Sequence, residues 1–397
     1  PTGPVNRGGL CALGQSALQE YYNPDRVIAP LRRSGERGSG EFETITAAIE
    51  AAADGDEILL EPGEYVESFI IDKAVTLAGT GAPEDVVIVP EPQASFRRQD
   101  VTGVDFTTGI VVDEADATIE NLSIRPMDGV DAGILLDGGR PTVRDIETGA
   151  DIGVNGSTLA RIEDSILDGI VLVGPNVRAI VRGNTLRDGV YVDAGATGTV
   201  EGNVIVDRPI HIGPDSGLEI IGNTIQPEAD APAVWVDWAN ASVDVIGNTI
   251  EGGWPGVIVQ HGRSARIEGN TITDAAEGII VLETDAIIRD NTVTNAADAG
   301  IVVEGNGITA EDNTVVGARV GIVAGIPNGY PPNAPRLDEP AQIMGNTVTD
   351  ASHFGILVFD SAPVVSGNSI CAHREPLRLE GDASPQLGSN EFCEVAE

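Results

Sequence analysis

The sequence is almost without lysine. Lys73 is the one lysine among 397 residues, and the other 22 basic residues are arginines. Against these 23 cations stand 62 acidic residues, a formal net charge of −39. A chain so short of positive charge repels nucleic-acid backbones and anionic membrane surfaces, and we exclude both as partners. Cysteine is scarce as well: Cys11, Cys371 and Cys393 are too few for a disulfide framework. The two methionines, Met127 and Met344, lie far apart, and His211, His261, His353 and His373 fall at unrelated positions. That argues against a copper site, which favours Cys, His and Met close together. No apolar run approaches the roughly 20 residues of a membrane-spanning helix. The chain opens at Pro1 with no signal peptide, so we expect a processed product or a piece of a longer chain, with any targeting segment elsewhere.

What is present argues for a folded protein. A hydrophobic content of 41% is too high for a disordered acidic chain. A folded, acidic, lysine-poor chain suggests a halophile, whose carboxylates keep the surface hydrated in strong salt; an acidic secreted protein or a calcium binder is the alternative. The most informative feature is an internal repeat. An apolar residue, two positions, Asn, Thr or Ser, then Ile, Val or Leu recurs, for example from Ile220 to Ile225 and from Ile267 to Ile272. The asparagines are Asn184, Asn203, Asn223, Asn248, Asn270, Asn291, Asn313, Asn346 and Asn368, at spacings of 19, 20, 25, 22, 21, 22, 33 and 22. A period near 20–22 with insertions is one solenoid coil with loops of variable length. Between asparagines sits Gly-Ile-x-Val, as at Gly169–Leu172, Gly278–Val281 and Gly300–Val303. Its period of two predicts short strands, each with two inward side chains. We expect the asparagines to stack as a structural ladder at a bend, satisfying turn backbone that would otherwise be buried unpaired.

Ahead of the repeats, Thr44 to Ala53 carries Ile45, Ala48, Ile49 and Ala52 at helical spacing, with Gly55 suited to the helix C-terminal turn. A short amphipathic helix there would cap the open end of the solenoid. From Phe42 to Gly81 the sequence resembles the opening of many secreted β-helix proteins. These are the pectin-esterase and pectate-lyase-like superfamily and the carbohydrate-binding and NosD-type accessory proteins. The matching residues are Phe42, Thr44-Ile45, Ala48-Ile49, Ala52, Gly55-Asp56, Pro62-Gly63, Tyr65, and Ile71 through Leu77 with Gly79. With the repeats, the resemblance covers residues 42–397 and implies an all-β, right-handed, single-stranded parallel β-helix. We divide the chain into an N-terminal segment 1–42, a capping helix 43–57 and a β-helix 58–397.

The N-terminal segment differs. Asn6 to Cys11, Gly14-Gln15, Leu18-Gln19, Tyr22 to Arg26, Pro30 to Arg33 and Gly38-x-Gly40-x-Phe42-Glu43 resemble the iron–sulfur region of molybdopterin oxidoreductases. The resemblance implies that Cys11 matches the last of four thiolate ligands to a four-iron cluster. The other three are absent nearby, and Leu13 stands where many members carry lysine. One thiol cannot hold a cluster, so a cluster requires ligands supplied from upstream, and no molybdenum-pterin domain follows.

Two features of the solenoid bear on chemistry. Asp168, Asp188 and Asp207 fall at one corner of successive coils, where paired carboxylates could bind Ca²⁺ or shift one another's pKa, although Asp before Gly is also ordinary turn chemistry. The outward residue of Gly-Ile-x-Val reads, coil by coil, Val111, Leu135, Gly153, Val171, Tyr191, His211, Trp235, Ile258, Ile280, Val302, Val323, Leu357 and Arg378. At about 4.8 Å per coil this is an apolar stripe about 60 Å long. Such a stripe marks an interface, a carbohydrate groove, or strand propensity beneath covering loops. Tyr191, His211 and Trp235 are consecutive, with Trp238 and Trp254 close in sequence, and flat aromatic faces suit sugar rings or an apolar partner surface. We therefore expect a non-catalytic envelope or extracellular β-helix that binds polysaccharide or a protein partner along the stripe, or self-associates through it. The alternatives are a polysaccharide lyase or hydrolase of the same fold and, from residues 1–45, an accessory subunit of a respiratory molybdoenzyme.

Two consequences are testable. Cys371 and Cys393 are one repeat apart, which places their α-carbons on neighbouring coils within the roughly 4.4–6.8 Å disulfide range. The net charge of −39 makes the folded state repel itself, and salt screens that repulsion. The melting temperature should rise from low salt to molar KCl; a flat or falling curve overturns the salt-adaptation argument.

Overall fold

The computed structural model describes residues 42–93, 105–238, 242–305, 307–325 and 340–393, and the backbone alone of 31–33 and 97–99. Each repeat forms one coil of three short strands, and each strand pairs in parallel with its equivalent one coil away. One coil serves as the pattern: strand Arg178–Arg182, the bend at Asn184, strand Thr185–Leu186, a corner at Asp188-Gly189, then strand Val190–Asp193. The series containing the last of these has fourteen strands, from Phe69–Ile71 to Glu375–Glu380. Inward residues such as Val181, Leu186, Val190 and Val192 are buried and merge with their counterparts into one continuous aliphatic core.

The asparagine ladder is complete and longer than the repeat phrase indicated. Asn270 shows the pattern. Its side-chain Nδ2 donates to the Val245 carbonyl (2.8 Å) and to Asn291 Oδ1 (2.9 Å), while its Oδ1 accepts from the backbone N–H (2.9 Å) and the Nδ2 (3.0 Å) of Asn248. Two donor hydrogens and two lone pairs are thus all used, which makes a buried amide tolerable in an apolar interior. The ladder begins where the Ser165 N–H donates to Asn184 and ends on Asn390, outside the repeat phrase. The residue before each ladder asparagine from Asn184 to Asn368 adopts a left-handed backbone: glycine at Gly183, Gly202 and Gly222, for example, and aspartate at Asp290 and Asp312. These residue types enter that region most easily, so the dipeptide Gly-Asn or Asp-Asn is the fuller signature of the bend.

The N-terminal end is closed by the helix Ile45–Ala51, which buries Ile45, Ala48 and Ile49 against the first coil. Thr44 caps it by accepting from the Ala47 N–H, and the Glu67 carboxylate accepts from the Ile45 and Thr46 N–H groups. At its other end Lys73 Nζ donates to the carbonyls of Ile49 (2.8 Å), Glu50 (2.8 Å) and Ala52 (2.9 Å). The single lysine thus gathers carbonyls of the last turn, where a cation also complements the helix dipole. At the C-terminal end Cys371 and Cys393 lie on neighbouring coils with α-carbons 4.9 Å apart and are disulfide-bonded, as their spacing indicated.

Removing one rung strands its neighbours. Asn270→Ala leaves the Asn248 N–H and one of the two Asn248 Nδ2 hydrogens unpaired and takes one donor from the Val245 carbonyl, at about 1–3 kcal/mol for each buried group left unmet. Thermal unfolding of Asn270→Ala should show a loss of about 3 kcal/mol or more; a loss below about 1 kcal/mol means that water replaces the rung.

Candidate functional site

Parallel pairing sets Val171, Tyr191, His211, Trp235, Ile258 and Ile280 in one register row across six consecutive strands. Their strand neighbours Val190, Val192, Ile210, Ile212, Val234 and Val236 are all buried. Since a strand sends neighbours to opposite faces, the row points outward, as the sequence indicated. The rings meet from coil to coil. Tyr191 and His211 have centroids 5.2 Å apart at 53°, and His211 and Trp235 4.5 Å apart at 30°. Tyr191 Oη donates to Asp193 Oδ2 at 2.9 Å. Burial holds the His211 imidazole below its ordinary pKa, against the opposing pull of Asp237 and Asp193.

A second ring pair lies at the strand ends of the same face. Trp238 stacks on His261 with centroids 4.3 Å apart and planes 10° from parallel. His261 lies between two carboxylates, Nδ1 3.5 Å from Asp237 and Nε2 3.5 Å from Glu283. Sequence position alone puts Trp238 near the row, but it does not single out His261. A signal is present, since Trp238 and His261 each stand three residues after a stripe position, Trp235 and Ile258.

The structure corrects the stripe in two respects. It is shorter than 60 Å. Val111 and Leu135 are only 2% and 1% exposed and pack with Phe106, while Val302 and Val323 are buried in a cluster with Ala299 and Val320 that Phe354 and Leu357 flank. The open portion runs from Val171 to Ile280, six rungs or about 24 Å. Trp254 does not join the row. It lies in the turn before strand Val257–Gln260, at the opposite edge of the sheet from Trp238, close to the Glu277 carboxyl.

Two of the corner acids are met by arginines. Asp168 lies 3.7 Å from Arg187, and Asp188 lies 2.9 Å from Arg208. Asp207 has a left-handed backbone, φ 65°, as have Asp274 and Asp350 at the same corner, which is the turn role open to aspartate. Among the described residues no group of three or more His, Cys, Asp or Glu is placed to hold a metal ion. What the corner does contain is Asp151, whose carboxyl is pushed up to about 6, chiefly by burial and then by the charges of Asp188 and Asp168. Sequence reasoning misses Asp151, although it occupies the slot before isoleucine that Gly169 and Gly278 fill elsewhere. Cys11 lies outside the described residues. Cys371 and Cys393 are bonded to each other, so neither offers a thiolate to complete a cluster with it.

The model of the right-handed β-helix region matches residues 100–328. Among curated proteins, a tetrathionate reductase chain of Archaeoglobus fulgidus is 51% identical over 39 residues, 10% of this chain and 3% of that protein. A sulfite dehydrogenase chain of Allochromatium vinosum is 44% identical over 48 residues, 12% of this chain and 5% of that protein. The chain thus spans a small fraction of the length of these relatives. Among solved structures, a family PL6 alginate lyase in complex with a trisaccharide is 14% identical with a TM-score of 0.44, covering 87% of this chain and 84% of that one. The catalytic unit of an α-1,3-glucanase from Streptomyces thermodiastaticus is also 14% identical, with a TM-score of 0.41 and coverage of 92% and 68%.

Asp151 gives the corner a pH signature. Its folded pKa is above its unfolded value of 3.8, so the folded chain binds the extra proton between about pH 4 and 6. Stability from this group is present at acid pH and is lost as the pH rises through that window. Asp151→Asn should be more stable than the parent above pH 6 by about 1–2 kcal/mol, a figure reduced for the partial exposure of the carboxyl, and the advantage should vanish near pH 4. Melting temperatures of the pair from pH 4 to 8 check this; a constant difference across the range overturns it.

Proposed function

The chain belongs to the right-handed β-helix family, and from that premise we propose that it binds polysaccharide along the open face from Val171 to Ile280. One observation carries the reading: three aromatic rings, Tyr191, His211 and Trp235, stand on consecutive coils, each within 5.2 Å of the next. Rings repeated at the coil spacing, about 4.8 Å, present a flat apolar track along which successive sugar units lie. Carboxylates at the edge of the track, Asp193 and Asp237, accept hydrogen bonds from hydroxyls. The strands supply a rigid mount, since the residues on either side of each ring are locked in the core. An extracellular or envelope setting fits this reading. The disulfide Cys371–Cys393 is of the kind that persists in oxidising compartments, and no helix among the described residues is long and apolar enough to cross a membrane. The charge of −39 fits a surface adapted to strong salt.

A specific observation favours a second reading, a polysaccharide lyase or hydrolase. Asp151, raised to about 6, shares a corner with Asp168 and Asp188, which arginines attend. A carboxyl titrating there is suited to proton transfer. Turnover of a polysaccharide that Asp151→Asn abolishes would favour this reading over pure binding. The reading as an accessory subunit of a respiratory molybdoenzyme draws its support from the short matches to the reductase and dehydrogenase chains.

Trp235→Ala tests the binding site directly. It opens no core cavity, so thermal stability should change by less than about 1 kcal/mol. Affinity for the best ligand of an oligosaccharide panel, screened in high salt, should fall by about 1–3 kcal/mol. Unchanged affinity moves the binding face elsewhere.

A further inference from the structure

The aromatic row is bordered by negative charge that arginines do not compensate. Two residues beyond each stripe position runs a second row, in which Asp193 follows Tyr191, Asp237 follows Trp235 and, three rungs on, Glu304 follows Val302. Glu283, one position past this row, meets His261. Elsewhere on the solenoid, acids are answered by arginines from adjacent coils, as Arg144 answers Glu120, Arg208 answers Asp188 and Arg266 answers Asp244. Among the described residues no arginine salt bridge reaches Asp193, Glu283 or Glu304, and the basic side chain that meets Asp237 and Glu283 is His261. Glu304 is held above the ordinary carboxylate range by burial and by the nearby charge of Glu283, and its Oε2 is buried without a hydrogen-bond partner. Glu304, three coils past Trp235, therefore bears both repulsion and lost solvation, and no arginine of the described chain relieves either cost there or stands beside Asp193 and Asp237.

An incoming cation would relieve both. We propose that the occupant of this face is a polysaccharide bearing free amino groups, its sugar rings on Tyr191, His211 and Trp235 and its ammonium groups on the Asp193, Asp237 and Glu304 carboxylates. The assignment rests on the polysaccharide reading above and adds the chemical class of the chain bound. Ammonium groups gain charge-assisted hydrogen bonds at these carboxylates and a further attraction to the faces of the Trp235 and Trp238 indoles. A polyuronate would bring its own carboxylates against the same edge, on a protein that already carries −39. A neutral glycan would use the rings and leave the carboxylate repulsion in place.

The experiment uses the whole chain and four hexasaccharides of defined charge: a glucosamine hexamer, its fully N-acetylated form, cellohexaose and a galacturonate hexamer. Binding is measured by calorimetry at pH 6, in the lowest salt at which the far-UV circular dichroism is native, and again in about 2 M NaCl, where screening cuts the charge contribution. The glucosamine hexamer should bind about 10-fold or more tighter than its acetylated form and cellohexaose, and the galacturonate hexamer most weakly. In Asp193→Asn/Asp237→Asn, isosteric and on the outer face, the advantage should fall to about 2-fold or less, and about 2 M NaCl should reduce it in the parent. Equal or tighter binding of cellohexaose overturns the charge assignment and leaves the polysaccharide reading standing. So does preferential binding of galacturonate, or a preference for glucosamine that the double variant keeps in full. Failure of all four to bind sinks the polysaccharide reading itself.

Discussion

Register between coils is the constraint on which everything else depends, and the buried amide ladder enforces it. A strand of four residues has little of its own to keep it from slipping, and a slip of one residue would turn its inward pair outward. Each ladder asparagine from Asn184 to Asn368 hydrogen-bonds both the coil before it and the coil after it, and it is buried where no water competes. Misplacing one coil would therefore leave polar groups unpaired on two others. The outward row inherits this precision: Tyr191, His211 and Trp235 stand above one another because Asn184, Asn203 and Asn223 do.

Charge is distributed on the same scaffold with two purposes. Where the surface is generic, arginines bridge acids on adjacent coils and cancel repulsion along the stack, as Arg289 does with Glu268. Beside the aromatic row, among the described residues, arginine does not play that part. Exposed pairs of the first kind contribute little each. The second arrangement costs stability through Glu304, which resists ionisation; at the opposite corner Asp151 resists it too, although Arg208 is near.

The fold and the orientation of the row were legible because both are periodic. Ladder asparagines recur at the coil length, and Gly-Ile-x-Val alternates with period two, so burial of Val234 and exposure of Trp235 follow from one another. What was not legible is what breaks the period. Phe106 packs with Val111 and Leu135 from the start of a long strand, Asp105–Asp113, whose first residues pair antiparallel with Arg97–Gln99, and no repeat announces that pairing. The partners of Asp168 and Asp188 depend on how a corner of variable length sets down Arg187 and Arg208. Asp151 escapes notice because it replaces a glycine in a slot identified by what it usually contains, and its raised pKa arises from burial and from Asp188 and Asp168, 37 and 17 positions away in sequence. Proximity along the chain groups Trp254 with Trp238, yet the intervening strands carry it to the other edge of the sheet.

The lysine that closes the capping helix gives the chain an unusual chemical property. Its ammonium is the only side-chain amine in 397 residues, and all three of its hydrogens are engaged by the carbonyls of Ile49, Glu50 and Ala52. Acylating reagents need a free, deprotonated amine, so side-chain modification by them is gated by the opening of a single helix end. The chain therefore carries a built-in covalent reporter on its N-terminal closure: the rate at which Lys73 becomes acylated follows how often the cap lets go of the solenoid, read by the mass of one peptide.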